Sequence, residues 1–451
     1  MADPAPVTTE VQRTDNAAPA PAKGSRAAGA FRALRHRNFQ LFFSGQFISL
    51  IGTWMQMVAQ AWLIYRLTGS SLLLGTLGFA GQIPIFLLSP LAGLAADRWR
   101  RQYLIITTQA ASMVLAGTLA ALTLMGVIRV WEILVLEAML GMVNAFDVPA
   151  RQAFLIEMVG REDLLNAIAL NSSMFNGARV AGPAIAGILV AWIGEGWCFF
   201  ANAVSYIAVI AGLKMMRIER PLSTEPEASP MEKLREGYRF VRHTAPIRTL
   251  LLLVALVSFV ALPFTVLMPI FADRILHGGA SAYGTLMGAI GVGAVIGALT
   301  LGMRRELRGL GEIVSNAAMG FGLSLILFAF SRLFWVSLLI LVPAGVAMMT
   351  QFAATNTLIQ AMVPDRLRGR VMSLYAMMFL GMAPLGSLMA GEIAARIGAP
   401  LTVGIGGATC LVGGVVFARA WPAMRGSARE LVAAQGMVSS VEPPDPSAPP
   451  S

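Results

Sequence analysis

Long apolar runs separated by short polar gaps fill the chain from residue 41 to residue 419. The hydrocarbon core of a bilayer is ~30 Å thick, and a helix needs about 20 apolar residues to cross it. Twelve runs reach this length, and each is predicted to be a membrane-spanning helix. Numbered as spans 1 to 12, they cover residues 41–65, 71–96, 103–126, 131–148, 166–193, 197–215, 249–271, 282–302, 313–330, 333–357, 371–395 and 401–419.

The composition supports an all-α membrane protein. Apolar residue types make up 56% of the 451 residues and charged types only 13%, whereas soluble domains carry about 25% charged residues. Residues 1–38 and 421–451 are rich in small residues and proline, and they are predicted to be disordered cytoplasmic tails. The first 30 residues contain no apolar core segment of a signal peptide.

Positive charges are distributed unevenly between the two sides of the predicted membrane. With the N-terminus inside, 28 of the 34 Lys and Arg residues fall in inside segments. Outside loops carry five, namely Arg66, Arg129, Arg274, Arg332 and Arg396. Cytoplasmic loops are enriched in Lys and Arg, so a multi-pass protein of the bacterial inner membrane with both termini in the cytoplasm is predicted. Topology therefore accounts for the net charge of +10, and no nucleic acid partner is expected.

The longest inside gap, residues 216–248, divides the chain into two halves at 39–215 and 249–420. Its first part is polar and contains proline, ERPLSTEPEASP, and its second part, MEKLREGYRFVRHT, is basic and favours a helix. The gap is too short for a soluble domain. It is interpreted as a cytoplasmic linker with a short amphipathic helix.

The two halves carry an internal repeat at an offset of 204 residues. Arg100-Arg101 then aligns with Arg304-Arg305, and Met158-Val159 aligns with Met362-Val363. Glycines of span 5 align with glycines of span 11, pairing 177 with 381, 182 with 386 and 187 with 391. Parallel repeats of six helices are typical of one large class of secondary transporters.

Four stretches resemble the major facilitator superfamily in the branch of the enterobactin exporters, the transmembrane secretion effector family. They are FQLFFSGQFISLIGTWMQMVAQAWLIYRLTGSS at 39–71, GLAADRWRR at 93–101, AFDVPARQAFLIEMV at 145–159 and LNSSMFNGARVAGPAIAG at 170–187. The similarity covers about residues 31–420. It implies twelve helices in two six-helix halves, transport by alternating access, and no resident cofactor.

The stretch at 93–101 resembles the superfamily loop signature, with Arg100 in place of the usual glycine. The resemblance implies a cytoplasmic latch in which Asp97 faces the N-terminus of span 11 and the arginines bind Asp147 in span 4. The latch residues are Gly93, Asp97, Arg98, Arg101 and Asp147. The alternative is that these charges only hold the loop inside.

Two opposite charges are predicted to meet inside the first half. If span 4 ends near Pro149 and span 5 begins near Leu164, Glu137 and Arg179 lie ~18 Å and ~22 Å from the inner ends of their helices. Intramembrane charges usually face the bundle interior and pair. One interpretation is a structural ion pair, and the other is a carboxylate that couples transport to protons.

Further polar residues are candidates for the wall of a substrate cavity, because they share helix faces in spans 1, 4, 5 and 10. They are Ser49, Thr53, Gln56, Gln60, Asn144, Asn176, Thr355 and Asn356. Small residues and one proline in spans 5 and 11 are interpreted first as packing sites and second as a hinge. They are Gly177, Gly182, Pro183, Gly187, Gly381, Gly386 and Gly391.

No nucleotide-binding loop and no hydrolase or metalloprotease motif is present. An ATP-driven pump, an enzyme and a metal site are therefore not expected. The favoured hypothesis is a monomeric exporter of a siderophore or drug, driven by the proton gradient, with lipid, protons and a small molecule as partners. Metabolite uptake by the same fold and a lipid-moving or regulatory protein remain alternatives.

Overall fold

The computed structural model describes residues 31–216, 230–304, 306–307 and 309–435. Within these ranges, the side chains of residues 90, 93, 94, 96–98 and 230–235 are outside the description. Residues 1–30 and 436–451 of the tails predicted at 1–38 and 421–451, and residues 217–229 of the linker predicted at 216–248, therefore lie outside the described residues.

Twelve helices of the described chain are long and apolar enough to cross a membrane, which confirms the predicted class. A short helical turn at Arg32–Arg35 precedes them, and a linker helix, Pro230–His243, separates the sixth from the seventh. Spans 1 to 6 are Arg37–Thr68, Ser71–Arg98, Arg101–Leu124, Val130–Val159, Leu164–Ile193 and Glu195–Met215. Spans 7 to 12 are Ala245–Ile275, Gly279–Gly302, Leu310–Phe330, Phe334–Met362, Asp365–Ile397 and Ala399–Ala433.

Two helices extend well beyond the predicted bounds. Span 4 continues through Pro149 to Val159, and membrane helices tolerate proline because neighbouring groups satisfy the freed backbone carbonyl. Span 12 continues to Ala433, since Trp421 and Val432 keep its apolar face buried. The predicted start of the tail, residue 421, is therefore about three helical turns before the observed end of span 12.

Each set of six spans packs mainly on itself. In the first set, span 2 packs on span 4, and span 1 packs on spans 5 and 6. In the second, span 9 packs on spans 10 and 12, and span 8 packs on span 10. The two sets meet where span 2 packs on span 11 and span 5 packs on span 8.

Because successive spans run in opposite directions, the molecule has two faces. The terminal face carries the start of span 1, the end of span 12 and the linker helix. The loop face carries the short connections that lead from each odd-numbered span to the even-numbered span after it. On the terminal face, Glu236 of the linker helix pairs with Arg366 and Arg370 at the start of span 11. The linker helix is thereby fixed to the second set of spans.

At the loop face, two glycine contacts join the halves. A Cβ placed on Gly187 of span 5 would lie 2.9 Å from Cα of Gly284 in span 8. A Cβ placed on Gly391 of span 11 would lie 3.0 Å from Cα of Gly75 in span 2. Backbones approach this closely only where side chains are absent. We call these two contacts the glycine seams, and they close the loop face.

Polar contacts reinforce the closure beside the seams. The Tyr65 hydroxyl donates to Asp273 Oδ2 at 2.7 Å, and Arg274 Nη2 donates to the Gly69 carbonyl at 3.2 Å. The Ser71 hydroxyl donates to the Gly391 carbonyl at 3.0 Å. These three hydrogen bonds all cross between the halves at the loop face.

Candidate functional site

One face of span 5 is exposed near the terminal side and packed in a glycine seam near the loop side. Leu165 and Ser172 lie on this face near the terminal side, and both are exposed, Leu165 by 82%. Gly187 lies on the same face near the loop side and packs on Gly284. Arg179 lies between them, and its side chain is partly exposed. It therefore lies where this face passes from exposed positions on the terminal side to the packed contact with span 8, and we call the exposed stretch the cleft.

The Arg179 side chain lies on an aromatic platform. Its Cζ is 5.8 Å from the ring centroid of Trp54 in span 1, within the range of a cation–π contact. Phe175 packs edge-on against Trp54 with the ring centroids 5.6 Å apart. Among the described residues, no carboxylate forms an ion pair with the Arg179 guanidinium.

Glu137 occupies a separate niche between spans 1, 2 and 4. Its Oε2 accepts a hydrogen bond of 3.0 Å from Gln60 Nε2 of span 1. Its Oε1 fills the space beside Gly81 of span 2, where any Cβ would overlap it. The Glu137 side chain is therefore held by a neutral amide and by a neighbour without a side chain.

The predicted ion pair between Glu137 and Arg179 is absent from the described contacts. Since span 4 continues to Val159, Glu137 is ~33 Å from the terminal end of its helix, whereas Arg179 is ~22 Å from Leu164. Their contacts on span 1 agree, because Trp54 and Gln60 are ~9 Å apart along the axis and on different faces. The prediction failed because it took Pro149 as a helix end.

Several predicted cavity residues are buried between helices in this conformation. Ser49, Gln56 and Gln60 are each at most 5% exposed, and the Gln56 side-chain carbonyl accepts a bond of 2.7 Å from Asn202 of span 6. Thr355 is fully buried. These four residues face packing interfaces and not the cleft. The partly exposed candidates stay predictions as cavity residues: Thr53, Asn144, Asn176 and Asn356.

The predicted latch is only partly within the described residues. The surroundings of Gly93 and the side chains of Asp97 and Arg98 lie outside them. The Asp147 carboxylate is buried, accepts from Thr108 at 2.7 Å, and pairs with Arg151 on its own helix.

Arg101 pairs with Glu157 at 2.8 Å and not with Asp147, which corrects the expected contact. Glu157 is available because span 4 continues past Pro149 for ten residues, ~15 Å of helix.

The matched glycines of spans 5 and 11 make matched contacts. Gly182 packs on the backbone of span 1 near Ile51, and Gly386 packs on the backbone of span 7 near Phe259. Gly187 and Gly391 each pack on a span of the other half, as described above. Gly177 and Gly381 face the rings of Phe47 and Phe86. Pro183 is buried within span 5, and its carbonyl faces Gly284.

Sequence reasoning missed Trp54, Gly81 and Glu157 as site residues. Glu157 could have been found, because it is the next carboxylate after Asp147 along the same stretch. Trp54 and Gly81 gave no separate signal, since apolar and small residues are common in every span.

Gly81→Ala is expected to lower the thermal stability of the protein, because the new methyl group overlaps the Glu137 carboxylate. Overpacking of a filled site typically costs ~1–3 kcal/mol. The melting temperature of purified protein measures this effect. Gly117→Ala in span 3 is the matched control, since its Cβ would lie 4.0 Å from the nearest atom, Cβ of Ala203. Equal melting temperatures for the two variants would contradict the described niche.

Comparisons with known proteins agree with this architecture. A family described as transmembrane secretion effector matches residues 28–439. The chain is 27% identical to the staphyloferrin A transporter of Staphylococcus aureus (strain NCTC 8325 / PS 47), over 83% of this chain and 94% of that protein. It is 25% identical to the multidrug efflux pump Tap of Mycolicibacterium fortuitum, over 77% and 87%. It is also 25% identical to the enterobactin exporter EntS of Escherichia coli O81 (strain ED1a), over 84% and 91%.

Solved structures share the fold at low identity. The nucleoside transporter NupG superposes with a TM-score of 0.64 at 12% identity, covering 85% of this chain and 98% of that one. An inward-facing bacterial homologue of the iron transporter ferroportin gives a TM-score of 0.62 at 16% identity, with 85% and 98% covered.

Proposed function

The chain belongs to the transmembrane secretion effector family, and from this premise we propose that it exports a small amphipathic compound, a siderophore or a drug, by exchange against protons. It is a transporter and not an enzyme, as its relatives are. The relatives named above include two siderophore transporters and one drug efflux pump. The names of the efflux pump Tap and the enterobactin exporter EntS support export as the direction of transport.

The observation that carries the proton-coupled mechanism is the environment of Glu137. A lone ionised carboxylate is costly at membrane depth. Its hydrogen-bond partner is the neutral Gln60 amide, and no cation of the described chain pairs with it. A carboxylate in such a niche is suited to hold a proton in one conformation and release it in another.

The conformation supports loading from the inside. The glycine seams close the loop face, and the cleft beside Arg179 opens toward the terminal face. The excess of Lys and Arg on the terminal face supports a cytoplasmic location for that face. A compound would then enter the cleft from the cytoplasm, and opening of the seams would release it outside.

Efflux measured in living cells tests this function. Cells that lack their main exporters, with and without the protein, are loaded with a fluorescent dye, and an uncoupler is added midway. Dye efflux should exceed that of cells without the protein and fall to their level when the proton gradient collapses. Efflux that continues at the same rate after collapse would contradict proton coupling.

Dyes need not be substrates of a siderophore exporter. The same cells are therefore also assayed with a panel of siderophores released into the medium. Failure to export any dye or siderophore would contradict the proposed function as a whole.

A further inference from the structure

Among the described residues, Arg179 has no polar partner that balances its charge, unlike two arginines nearer the loop face. Arg66 pairs with Glu195 at 2.7 Å, and Arg274 donates to the Gly69 carbonyl. Arg179 lies deeper in the membrane, where an unbalanced charge costs most. Its described side-chain contact is the face of Trp54.

We infer that Arg179, Trp54 and Phe175 form a binding site for the anionic, aromatic part of the transported compound. The inference rests on the proposed function, because it names the class of compound that the exporter carries. A carboxylate or catecholate that enters the cleft would supply the countercharge that no described residue supplies.

The shape of the guanidinium favours this class of ligand. Arginine presents five N–H donors in a planar fork that binds a carboxylate through two parallel hydrogen bonds. No hydrogen bond to a described residue occupies the N–H donors at the edge of the Arg179 guanidinium, so they stay available. Because the Arg179 side chain is partly exposed, a ligand in the cleft can approach that edge.

The aromatic rings supply the apolar part of the site. Phe175 is 45% exposed and stands edge-on to Trp54. A flat ring of the ligand can pack against this exposed ring while its anionic group binds Arg179. A cationic compound would be repelled by the same guanidinium, so the site selects by charge as well as by shape.

The position of the site couples occupancy to the seam between spans 5 and 8. A Cβ placed on Gly291 of span 8 would lie 3.1 Å from the Arg179 carbonyl oxygen, so the seam ends beside this residue. A ligand bound at Arg179 therefore lies where the two halves separate when the loop face opens.

Equilibrium binding to the purified full chain in lipid nanodiscs tests the site. The probes are 2-naphthoate, its neutral analogue 2-naphthamide and the cation 2-naphthylmethylammonium, which share one ring system and differ in charge. The wild type is expected to bind the carboxylate about tenfold more tightly than the amide, as one charge-assisted pair allows. Arg179→Gln should abolish this preference, and Trp54→Leu should weaken binding of the carboxylate.

Arg274→Gln is the matched control, because Arg274 also lies over an aromatic ring, 5.7 Å from the centroid of Tyr65, but at the loop face. It should keep the preference. Arg179→Lys keeps the charge without the planar fork and should keep part of the preference, so the site stays testable if Arg179→Gln does not fold. An unchanged preference in Arg179→Gln, or tighter binding of the cation by the wild type, would overturn the inference.

The two proposals can fail separately. Efflux that depends on the gradient, together with no preference for the carboxylate, would refute the anion site alone. Preference for the carboxylate that is lost in Arg179→Gln, without any efflux dependent on the gradient, would establish the site and refute the proposed function.

Discussion

Glu137→Gln is expected to remove efflux driven by the proton gradient while the protein still folds and inserts into the membrane. The amide has the shape of the carboxyl group and can accept the same hydrogen bond from Gln60. It cannot bind or release a proton in the physiological range, so the step that depends on protonation is lost. We expect the rate to fall by about tenfold or more, as intramembrane ionisable residues are usually functional.

The measurement is dye or siderophore efflux at matched protein levels in the membrane. Glu132→Gln is the control on the same helix. Glu132 lies in the first turn of span 4, where its carboxylate accepts from the Arg129 backbone N–H at 2.8 Å. Glutamine can cap in the same way, so transport should persist. If the Glu137→Gln variant exports at the wild-type rate, Glu137 has only a structural role.

Gly187→Leu is expected to open the loop face and to stop transport. The leucine side chain would overlap the backbone of span 8, because its Cβ alone would lie 2.9 Å from Cα of Gly284. Overpacking typically costs ~1–3 kcal/mol, and ~1.4 kcal/mol changes an equilibrium tenfold. The conformation closed at the loop face should therefore lose its dominance.

Reaction with a maleimide that cannot cross the membrane reports the change. Both native cysteines are buried, and we replace them with alanine before introducing Ser387→Cys. Ser387 is 2% exposed and lies in the contact between spans 2 and 11. It should react slowly in the parent and about tenfold faster with Gly187→Leu.

Gly177→Leu is the control for this experiment, since Gly177 lies on the same helix and the nearest atom to its Cβ would be Cε2 of Phe47, 3.7 Å away. It should leave the reaction slow and transport intact. Equal labelling of the two variants would show that the seam does not govern the closed loop face.

The twelve spans could be predicted from the sequence because lipid imposes a simple rule on length and polarity. The glycine repeat also predicted where helices approach closely, and Gly187 and Gly391 do occupy such contacts. It could not say which helix each glycine faces. That depends on how the two halves pack, and no local pattern encodes it.

The pairing of charges could not be predicted, because depth in the membrane depends on where each helix ends. Taking Pro149 as an end placed Glu137 and Arg179 at one level, and the continuous helix separates them. The prediction that Gln56 and Gln60 of span 1 line a cavity was wrong for a related reason. Helical spacing shows that Gln56 and Gln60 are near one another, but not that Asn202 and Glu137 occupy the space in front of them.

The glycine seams also bear on how the conformational balance responds to its surroundings. They consist of backbone and small apolar groups held by dispersion forces, and such contacts are almost insensitive to ionic strength, which screens charges. The part of the resting preference that the seams supply is therefore set by geometry, and it is expected to stay steady when the salt content of the medium changes. A response of this balance to salinity would then come from the charged groups beside the seams, such as Asp273 and Arg274.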